Sequence, residues 1–503
     1  MNTAPLINID SCAIFYNEEL CIPNISWRLL PGENWLITGN NGSGKTSFVS
    51  ALTNKSECRP NQNGTFSNAL SSSTSIVSFE EAAFLIEREK KYDDSDFVEG
   101  GIDKGRTPRH LIPQSLSSDA IISLCGIEGI LNRGLKFLST GEIRRTLLAA
   151  ALTKEPSLLI LDSPFDGLDS EAVKAVHNLI NNLSSSIKKK KENPIQALII
   201  VLDRYTNIPS SITHVLELSD RKILFSGTRE DFESQKINKS VIQKTDINQV
   251  DLNEILSHDI QKLPQDIRTD EKILVEMKNV TVEWSGNRVI EKLSWTLHAG
   301  EHWLIRGPNG SGKTTFLELI TGDNPQVFRN NISLFGKRRG SGETIWELKE
   351  KMGIVSYRLH VEYRSLGDLS LETVVLSGLH DSIGLYQHCG KEERILAEKW
   401  LSLAGFTGKK DLLFRDLSYG EQRALLIARA AIKCPPILIL DEPCHGLDDT
   451  HRQRTLMLLE KIAESGNSTL LHVTHDPTEV LECEHHILEF KPGQTPMYEI
   501  TTR

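Results

Sequence analysis

The chain has 503 residues, more than one compact core sustains, and length alone sets an expectation of roughly two to four domains. With 39% apolar and 25% charged residues it has the composition of an ordinary globular protein rather than a disordered or fibrous one. A net charge of −10 argues against a broad nucleic-acid-binding face, and eight cysteines without paired spacing point to a reducing compartment rather than a disulfide framework.

The N-terminus shows no basic segment followed by an apolar one, so no signal peptide is expected. The longest apolar runs, such as Ala197 to Leu202, fall far short of the roughly 20 residues a membrane span needs. The chain is therefore expected in the cytoplasm. Each half opens with alternating residues that predict antiparallel strands, followed by an apolar strand, Trp35 to Thr38 or Trp303 to Arg306, that runs into a glycine loop and a helix. The loops read Gly39-Asn40-Asn41-Gly42-Ser43-Gly44-Lys45-Thr46 and Gly307-Pro308-Asn309-Gly310-Ser311-Gly312-Lys313-Thr314. Both fit G-x-x-x-x-G-K-[ST]. Such a turn lets backbone N–H groups approach phosphates, with a helix N-terminus facing the negative charge. Lys45 and Lys313 would then reach β- and γ-phosphates, and the Thr46 and Thr314 hydroxyls would bind Mg²⁺. ATP and Mg²⁺ are the expected ligands.

The segments from about Glu81 to Lys136 and Leu359 to Arg415 read as mainly helical insertions, with a mobile loop expected over 93–106. Ser157 to Leu161 and Ile437 to Leu440 are continuous apolar runs of the buried parallel-strand type. Each ends at an aspartate, Asp162 or Asp441, placed to hold Mg²⁺. Lys188 to Lys191 reads as a solvated loop, with an anionic partner the lesser reading.

The chain repeats itself. Trp27 and Trp295 lie at one spacing, and Lys45 and Lys313 keep it; Ser139 and Ser418 share a second spacing with Asp162 and Asp441. Self-similarity on this scale means two homologous domains, drawn here as 1–235 and 272–503. The polar segment 236–271 between them is the linker.

These motifs resemble the ATP-binding-cassette family. Its signature is matched by Leu138-Ser139-Thr140-Gly141-Glu142 and by Leu417-Ser418-Tyr419-Gly420-Glu421, and its Asp-loop by Gly167-Leu168-Asp169 and Gly446-Leu447-Asp448. The resemblance implies an α/β fold with two tandem cassettes, each built from a mixed-sheet RecA-like core, an antiparallel β subdomain and a helical insertion. Tyr16 and Trp284 would stack on adenine, although as single aromatics they also suit ordinary packing. The switch histidine corresponds to His475, and its first-half counterpart is Asp203. In the family, each nucleotide lies between one cassette's phosphate loop and the other's signature. Site one would join Lys45, Thr46, Asp162, Ser163 and Asp203 to Ser418, Gly420 and Glu421. Site two would join Lys313, Thr314, Asp441, Glu442 and His475 to Ser139, Gly141 and Glu142. Pairing within one chain implies a monomer.

The two sites differ in chemistry. Site two has Glu442 to orient the attacking water and His475 to hold the γ-phosphate; site one has Ser163 and Asp203. A serine hydroxyl is no general base near neutral pH, a loss typically worth about 10²–10⁴ in rate. Asp203 would bring negative charge towards the γ-phosphate, and at an effective dielectric near 20 a like-charge pair about 4 Å apart costs roughly 4 kcal/mol. Either Arg204 neutralises it or the side chain points away. The glutamine usual after the strand preceding the helical insertion aligns with Glu80 and Tyr357, which weakens the case for standard transport coupling.

Within the family the chain is most similar to the ModF-like tandem cassettes associated with molybdate-uptake loci. The similarity runs over nearly the whole length and is densest at Thr321-Gly322-Asp323-Asn324-Pro325-Gln326 and from Ser333 to Trp346. It implies the ATPase of a transporter whose permease subunits are separate proteins, placing the chain on the inner face of the membrane. A soluble ATP-dependent regulator is the alternative. Action on ribosomes is the third reading: residues 236–271 are net acidic and one catalytic glutamate is missing, unlike the tandem cassettes of translation, and no nucleic-acid partner is expected. Lys337-Arg338-Arg339 beside Gly340-Ser341-Gly342 reads as a strand end and solvated basic turn, or else as an oxyanion pocket.

Overall fold

The computed structural model describes residues 4–16, 18–78, 85, 88–89, 105–113, 118–138, 140–166, 168, 170–188, 195–240, 272–284 and 287–503. Ser139, Gly167, Asp169, Glu80, most of the loop expected over 93–106, and the linker from 241 to 271 lie outside the described residues, as do 189–191 of the lysine run. The chain falls into two compact units, Met1–Thr245 and Asp246–Arg503.

In the first unit the strands are β1 (Ile7–Tyr16), β2 (Glu19–Leu29), β3 (Asn34–Gly39), β4 (Glu57–Asn68), β5 (Thr74–Ser78), β6 (Leu158–Asp162), β7 (Ala197–Leu202), β8 (His214–Ser219) and β9 (Lys222–Thr228). Four of its helices frame them: α1 (Lys45–Leu52), α2 (Ser118–Cys125), α3 (Thr140–Leu152) and α4 (Ser170–Lys188). One antiparallel sheet has the order β2-β1-β4, and a 6-stranded sheet the order β5-β6-β7-β3-β8-β9. The strands from β5 to β8 run parallel, and β9 closes the edge antiparallel. The phosphate-loop strand β3 therefore sits inside the sheet, between β7 and β8.

Strand composition explains this arrangement. Leu158 to Leu161 are all buried, and so is every residue of β7, as a strand covered on both faces requires. Successive residues serve opposite faces. Leu159, Leu161, Leu198 and Ile200 pack with residues of α2, α3 and α4, while Leu158, Ile160, Ile199 and Val201 pack with α1 and the β1–β2 hairpin. Edge strand β9, half covered, alternates exposed and partly buried positions.

The second unit repeats the plan with β10 (Ile273–Trp284), β11 (Asn287–His298), β12 (Trp303–Arg306), β13 (Asn331–Leu334), β14 (Lys337–Arg338), β15 (Met352–Val355), β16 (Ile437–Asp441), β17 (Thr469–Val473), β18 (His486–Phe490) and β19 (Tyr498–Thr502). Its sheets are ordered β11-β10-β13-β14 and β15-β16-β17-β12-β18-β19. The helices used below are α5 (Lys313–Thr321), α6 (Tyr357–Ser365), α7 (Leu371–Ser377), α8 (Lys391–Leu403), α9 (Tyr419–Ala431) and α10 (Asp449–Glu464). The helical insertion expected from Leu359 to Arg415 is here α6, α7 and α8. The core is so closely repeated that Trp27 and Trp35 meet edge to face at 5.3 Å, and Trp295 and Trp303 do so at 5.3 Å.

The turn after β14 matches the strand-end reading at exposed Lys337 and Arg338 and departs from it at Arg339. Arg339 is buried and ion-paired to Glu343. The Glu343 carboxylate also accepts from the Gly340 N–H at 2.8 Å, the Ser341 N–H at 3.0 Å and the Ser341 hydroxyl at 3.0 Å. Burial pushes the Glu343 carboxyl up, but these donors and Arg339 outweigh it and hold it at about 2. The strand end and turn are thus solvated at Lys337, Arg338 and Gly340 to Gly342, while Arg339 is buried and the turn binds a carboxylate of its own chain rather than standing as an open oxyanion pocket.

Candidate functional site

Each phosphate loop leaves its central strand through a glycine that nothing larger replaces. A Cβ on Gly39, at φ +143°, would lie 2.0 Å from the Leu218 carbonyl oxygen of β8; on Gly307, at φ +150°, it would lie 2.8 Å from the Phe490 carbonyl oxygen of β18. Gly44 and Gly312, left-handed at φ 102° and 104°, then begin α1 and α5. The lysines close the loops: Lys45 Nζ donates to the Gly39 and Asn40 carbonyls at 2.6 and 2.9 Å, and Lys313 Nζ to those of Gly307 and Pro308 at 2.7 and 3.0 Å. Inside each loop one serine hydroxyl, Ser43 or Ser311, is buried with no hydrogen-bond partner among the described residues. Thr46 and Thr314 are exposed on the first helical turn. An orphaned buried hydroxyl, a helix N-terminus and an ammonium at one turn suit a polyphosphate.

The residue after each Mg²⁺-type aspartate takes the same unusual backbone. Ser163 has φ 53° and Glu442 φ 46°, the left-handed region in which a non-glycine residue is uncommon. Each is tied to the neighbouring strand alike, Ser163 N–H to Val201 O at 3.0 Å and Glu442 N–H to Val473 O at 3.0 Å. Strand register fixes the remaining equivalence. Ile37 pairs with Val201 and Ile305 with Val473, so two residues further along Asp203 corresponds to His475.

On this shared frame the side chains do opposite things. In the second unit His475 Nδ1 lies 3.1 Å from Glu442 Oε1. Burial pushes the Glu442 carboxyl up, but the His475 hydrogen bond and the charges of His475, His445 and Lys313 bring it down to about 2. Burial lowers the His475 imidazole, and Glu442 more than reverses this, so its pKa is raised. In the first unit Asp203 Oδ1 instead lies 2.9 Å from Lys45 Nζ. The structure sets the phosphate-loop lysine, 158 positions away in the chain, against Asp203. Among the described residues, Ser163 Oγ approaches Asp162 Oδ1 at a long 3.5 Å.

Asp441 fits a cation. Burial and the Glu442 charge push its carboxyl up to about 6 against Arg423 and Lys313; a divalent ion between it and the Thr314 hydroxyl would supply the missing positive charge.

The signature serine of the second unit is a helix cap. Ser418 Oγ accepts from the Glu421 N–H at 3.4 Å, and the Glu421 carboxylate accepts from the Ser418 N–H at 2.9 Å and the Ser418 hydroxyl at 2.7 Å, a reciprocal capping box. A Cβ on Gly420 would meet the His451 ring of α10 at 2.5 Å. Tyr419 stacks on buried His360 of α6 at 4.5 Å. In the first unit Glu142 pairs with Arg133 at 3.2 Å, and Gly141 lies in the first turn of α3.

Sequence reasoning passed over a pair of arginines on these signature helices. Arg423, fully buried, donates to the carbonyls of Glu442 at 2.8 Å and Ser356 at 3.0 Å. Arg144, its first-unit counterpart, donates to the carbonyls of Pro164 at 3.0 Å and of Asp166. Each ties a signature helix to the backbone just past its aspartate. Tyr16 and Trp284 are exposed at the ends of β1 and β10, and Tyr357 begins α6 directly after β15.

A model of the family described as ABC transporter matches residues 22–166 and again 290–445. The chain belongs to that family. It is 37% identical to the ABC transporter ATP-binding protein ModF of Escherichia coli (strain K12), over 94% of each chain. An uncharacterised ABC transporter ATP-binding protein of Saccharomyces cerevisiae is 29% identical over 94% of this chain and 93% of its own. Among solved structures an RNase-L Inhibitor matches at a TM-score of 0.56, 15% identity, and 98% and 90% coverage, a likeness of fold. This tandem ABC protein is accordingly an ATP-binding ATPase, of a family that generally uses Mg²⁺. Among the described residues no helix is long and apolar enough to cross a membrane.

Proposed function

We propose that this ABC protein is an asymmetric ATPase in which the Lys313 site turns over ATP and the Lys45 site holds nucleotide without hydrolysing it. The observation that carries this reading is the contrast on matching backbone between Glu442 with His475 and Ser163 with Asp203. Phosphoryl transfer needs little covalent help from the protein, so catalysis is chiefly positioning and charge stabilisation. Lys313 is placed for the β- and γ-phosphates, and Thr314 and Asp441 would hold Mg²⁺, which neutralises charge developing on the phosphoryl oxygens. Glu442 is ionised and orients the attacking water. His475, carrying a proton shared with Glu442, donates towards the γ-phosphate. Tyr16 and Trp284 present exposed rings to the adenines. The family pairs one cassette's signature with the other's phosphate loop, and that is the role we assign to Ser418, Gly420 and Glu421 and to Ser139, Gly141 and Glu142.

The cycle drives a separate membrane permease, the role that the transporter names of the relatives support, with the chain on the cytoplasmic face. Molybdate enters only through the name ModF and the resemblance behind it; the turn at Gly340 already holds Glu343. A second reading, a soluble regulator driven by the same cycle, draws on Tyr357, which stands where the family carries a coupling glutamine.

Glu442→Gln is the test. ATPase activity is expected to fall by about 10²–10⁴, and retention of most of it sinks the assignment of the active site. Affinity capture with this variant and ATP separates the partners: an integral permease supports transport, a soluble partner supports regulation, and ribosomal proteins overturn both.

A further inference from the structure

In the first phosphate loop the lysine is ion-paired to a carboxylate, Lys45 Nζ to Asp203 Oδ1 at 2.9 Å. Lys45 also donates to two carbonyls of its own loop, so the contact with Asp203 takes its third direction. In a phosphate loop of this type that direction serves the β- and γ-phosphates. At the corresponding position of the second unit stands His475, which is neutral or cationic and hydrogen-bonded to Glu442. Hence the first loop has an anion of its own where the second unit carries an imidazole.

We propose that the first site is selective for a nucleoside diphosphate, with the Asp203 carboxylate standing where the γ-phosphate of a triphosphate would lie. The inference deepens the reading of the Lys45 site as non-hydrolysing and rests on that site's binding nucleotide. A diphosphate seats its β-phosphate on the loop N–H groups and the α1 N-terminus, beside the Lys45 charge, while the Asp203–Lys45 pair stays intact. A triphosphate sets its terminal phosphoryl group against Asp203, and one of the two anions must leave the ammonium. The same geometry gives Ser163 a rationale: with no γ-phosphate beside it, the position has no water to activate.

The experiment is equilibrium binding of fluorescent ADP and ATP, each with Mg²⁺, to the full chain carrying Lys313→Ala, which confines tight binding to the first site. A preference for the diphosphate of roughly tenfold or more is expected, the like-charge repulsion being discounted for screening by Mg²⁺. Adding Asp203→Asn, which keeps the shape and removes the charge, should bring the two affinities to within about threefold, mainly by tightening ATP. In the full chain carrying Glu442→Gln instead, whose second site leaves ATP uncleaved, incubation with equal amounts of both nucleotides, desalting and chromatography of what is retained should recover ADP at about one per chain. That measurement also guards against misfolding of the Lys313→Ala form. Equal affinities with Asp203 present, the same affinities with and without its charge, or no nucleotide at the first site overturns the inference. Its failure is distinct from failure of the functional reading. An active Glu442→Gln chain sinks that reading and leaves the ADP preference measurable, whereas ATP bound as tightly as ADP beside a dead Glu442→Gln chain sinks only this inference.

Discussion

If the first site lacks hydrolysis because of two residues on an otherwise intact frame, both must be changed to restore it. Ser163 and Glu442 share a left-handed backbone and the same tie to the neighbouring strand. A glutamate introduced by Ser163→Glu therefore projects as Glu442 does, and Glu442 meets residue 475 at 3.1 Å. In the first unit that place belongs to Asp203. Two carboxylates about 4 Å apart repel by roughly 4 kcal/mol at an effective dielectric near 20, equivalent to about three decades in the population of the productive position. Lys45 offsets part of this repulsion only by withdrawing from phosphate.

Ser163→Glu alone should thus raise hydrolysis at the first site by less than about tenfold, whereas Ser163→Glu with Asp203→His should raise it by about 10²–10⁴. The readout is labelled phosphate released in a single turnover, measured in a Glu442→Gln background so that the second site is silent. Ser163→Glu with Asp203→Asn separates the factors: relief of repulsion without an imidazole should give an intermediate rate. If Ser163→Glu alone matched the double variant, Asp203 would not be an obstacle. A double variant that binds ATP yet stays at background would show that the frame itself is not competent.

Two further expectations concern groups away from the phosphates. Burial pushes the His360 imidazole down to about 4, against the pull of its hydrogen bond to Gln422. The unfolded chain takes up this proton as pH falls through about 6.5 while the folded chain does not, so the stability is present above about 6.5 and up to ~3 kcal/mol is lost towards pH 4. Calorimetry of the second unit's transition should show that fall, and His360→Phe should flatten it while lowering the transition temperature at pH 7; an unchanged pH slope would be contrary evidence. Glu343→Ala removes the anion that Arg339, Gly340 and Ser341 enclose, and leaving the arginine buried and alone should cost about 3–5 kcal/mol. Added sulfate or molybdate should recover part of that stability in the variant and none in the parent chain, as judged by thermal unfolding.

What the sequence made legible was what spacing encodes. The phosphate loops, the aspartates at the ends of apolar runs and the repeat were all visible because each is a local pattern of glycines, apolar residues and one charged residue. Residues that find distant partners were less legible. Arg144 and Arg423 sit on helices where a charged residue ordinarily reads as exposed, and they are buried because carbonyls past the aspartates receive their protons. At Lys337-Arg338-Arg339 the sequence displayed the cationic turn, but the carboxylate filling it lies only four residues beyond Arg339, and nothing in composition separates that from a solvated glutamate.

Asp203 shows where such reading stops and what completes it. Alignment of the halves placed an acid where a histidine was expected, which by itself reads as loss of function. Strand register confirms the correspondence, and the contact with Lys45 changes its meaning. Random loss of a catalytic histidine would leave the phosphate-loop lysine as it was. Here the substituted side chain engages that lysine, and the neighbouring catalytic position has become a serine on an unaltered left-handed turn. That turn costs of order 1–3 kcal/mol at a non-glycine residue, and a site merely decaying would be free to relax it. Its retention argues that the first site is kept in the shape of an active one while being set to a different nucleotide state.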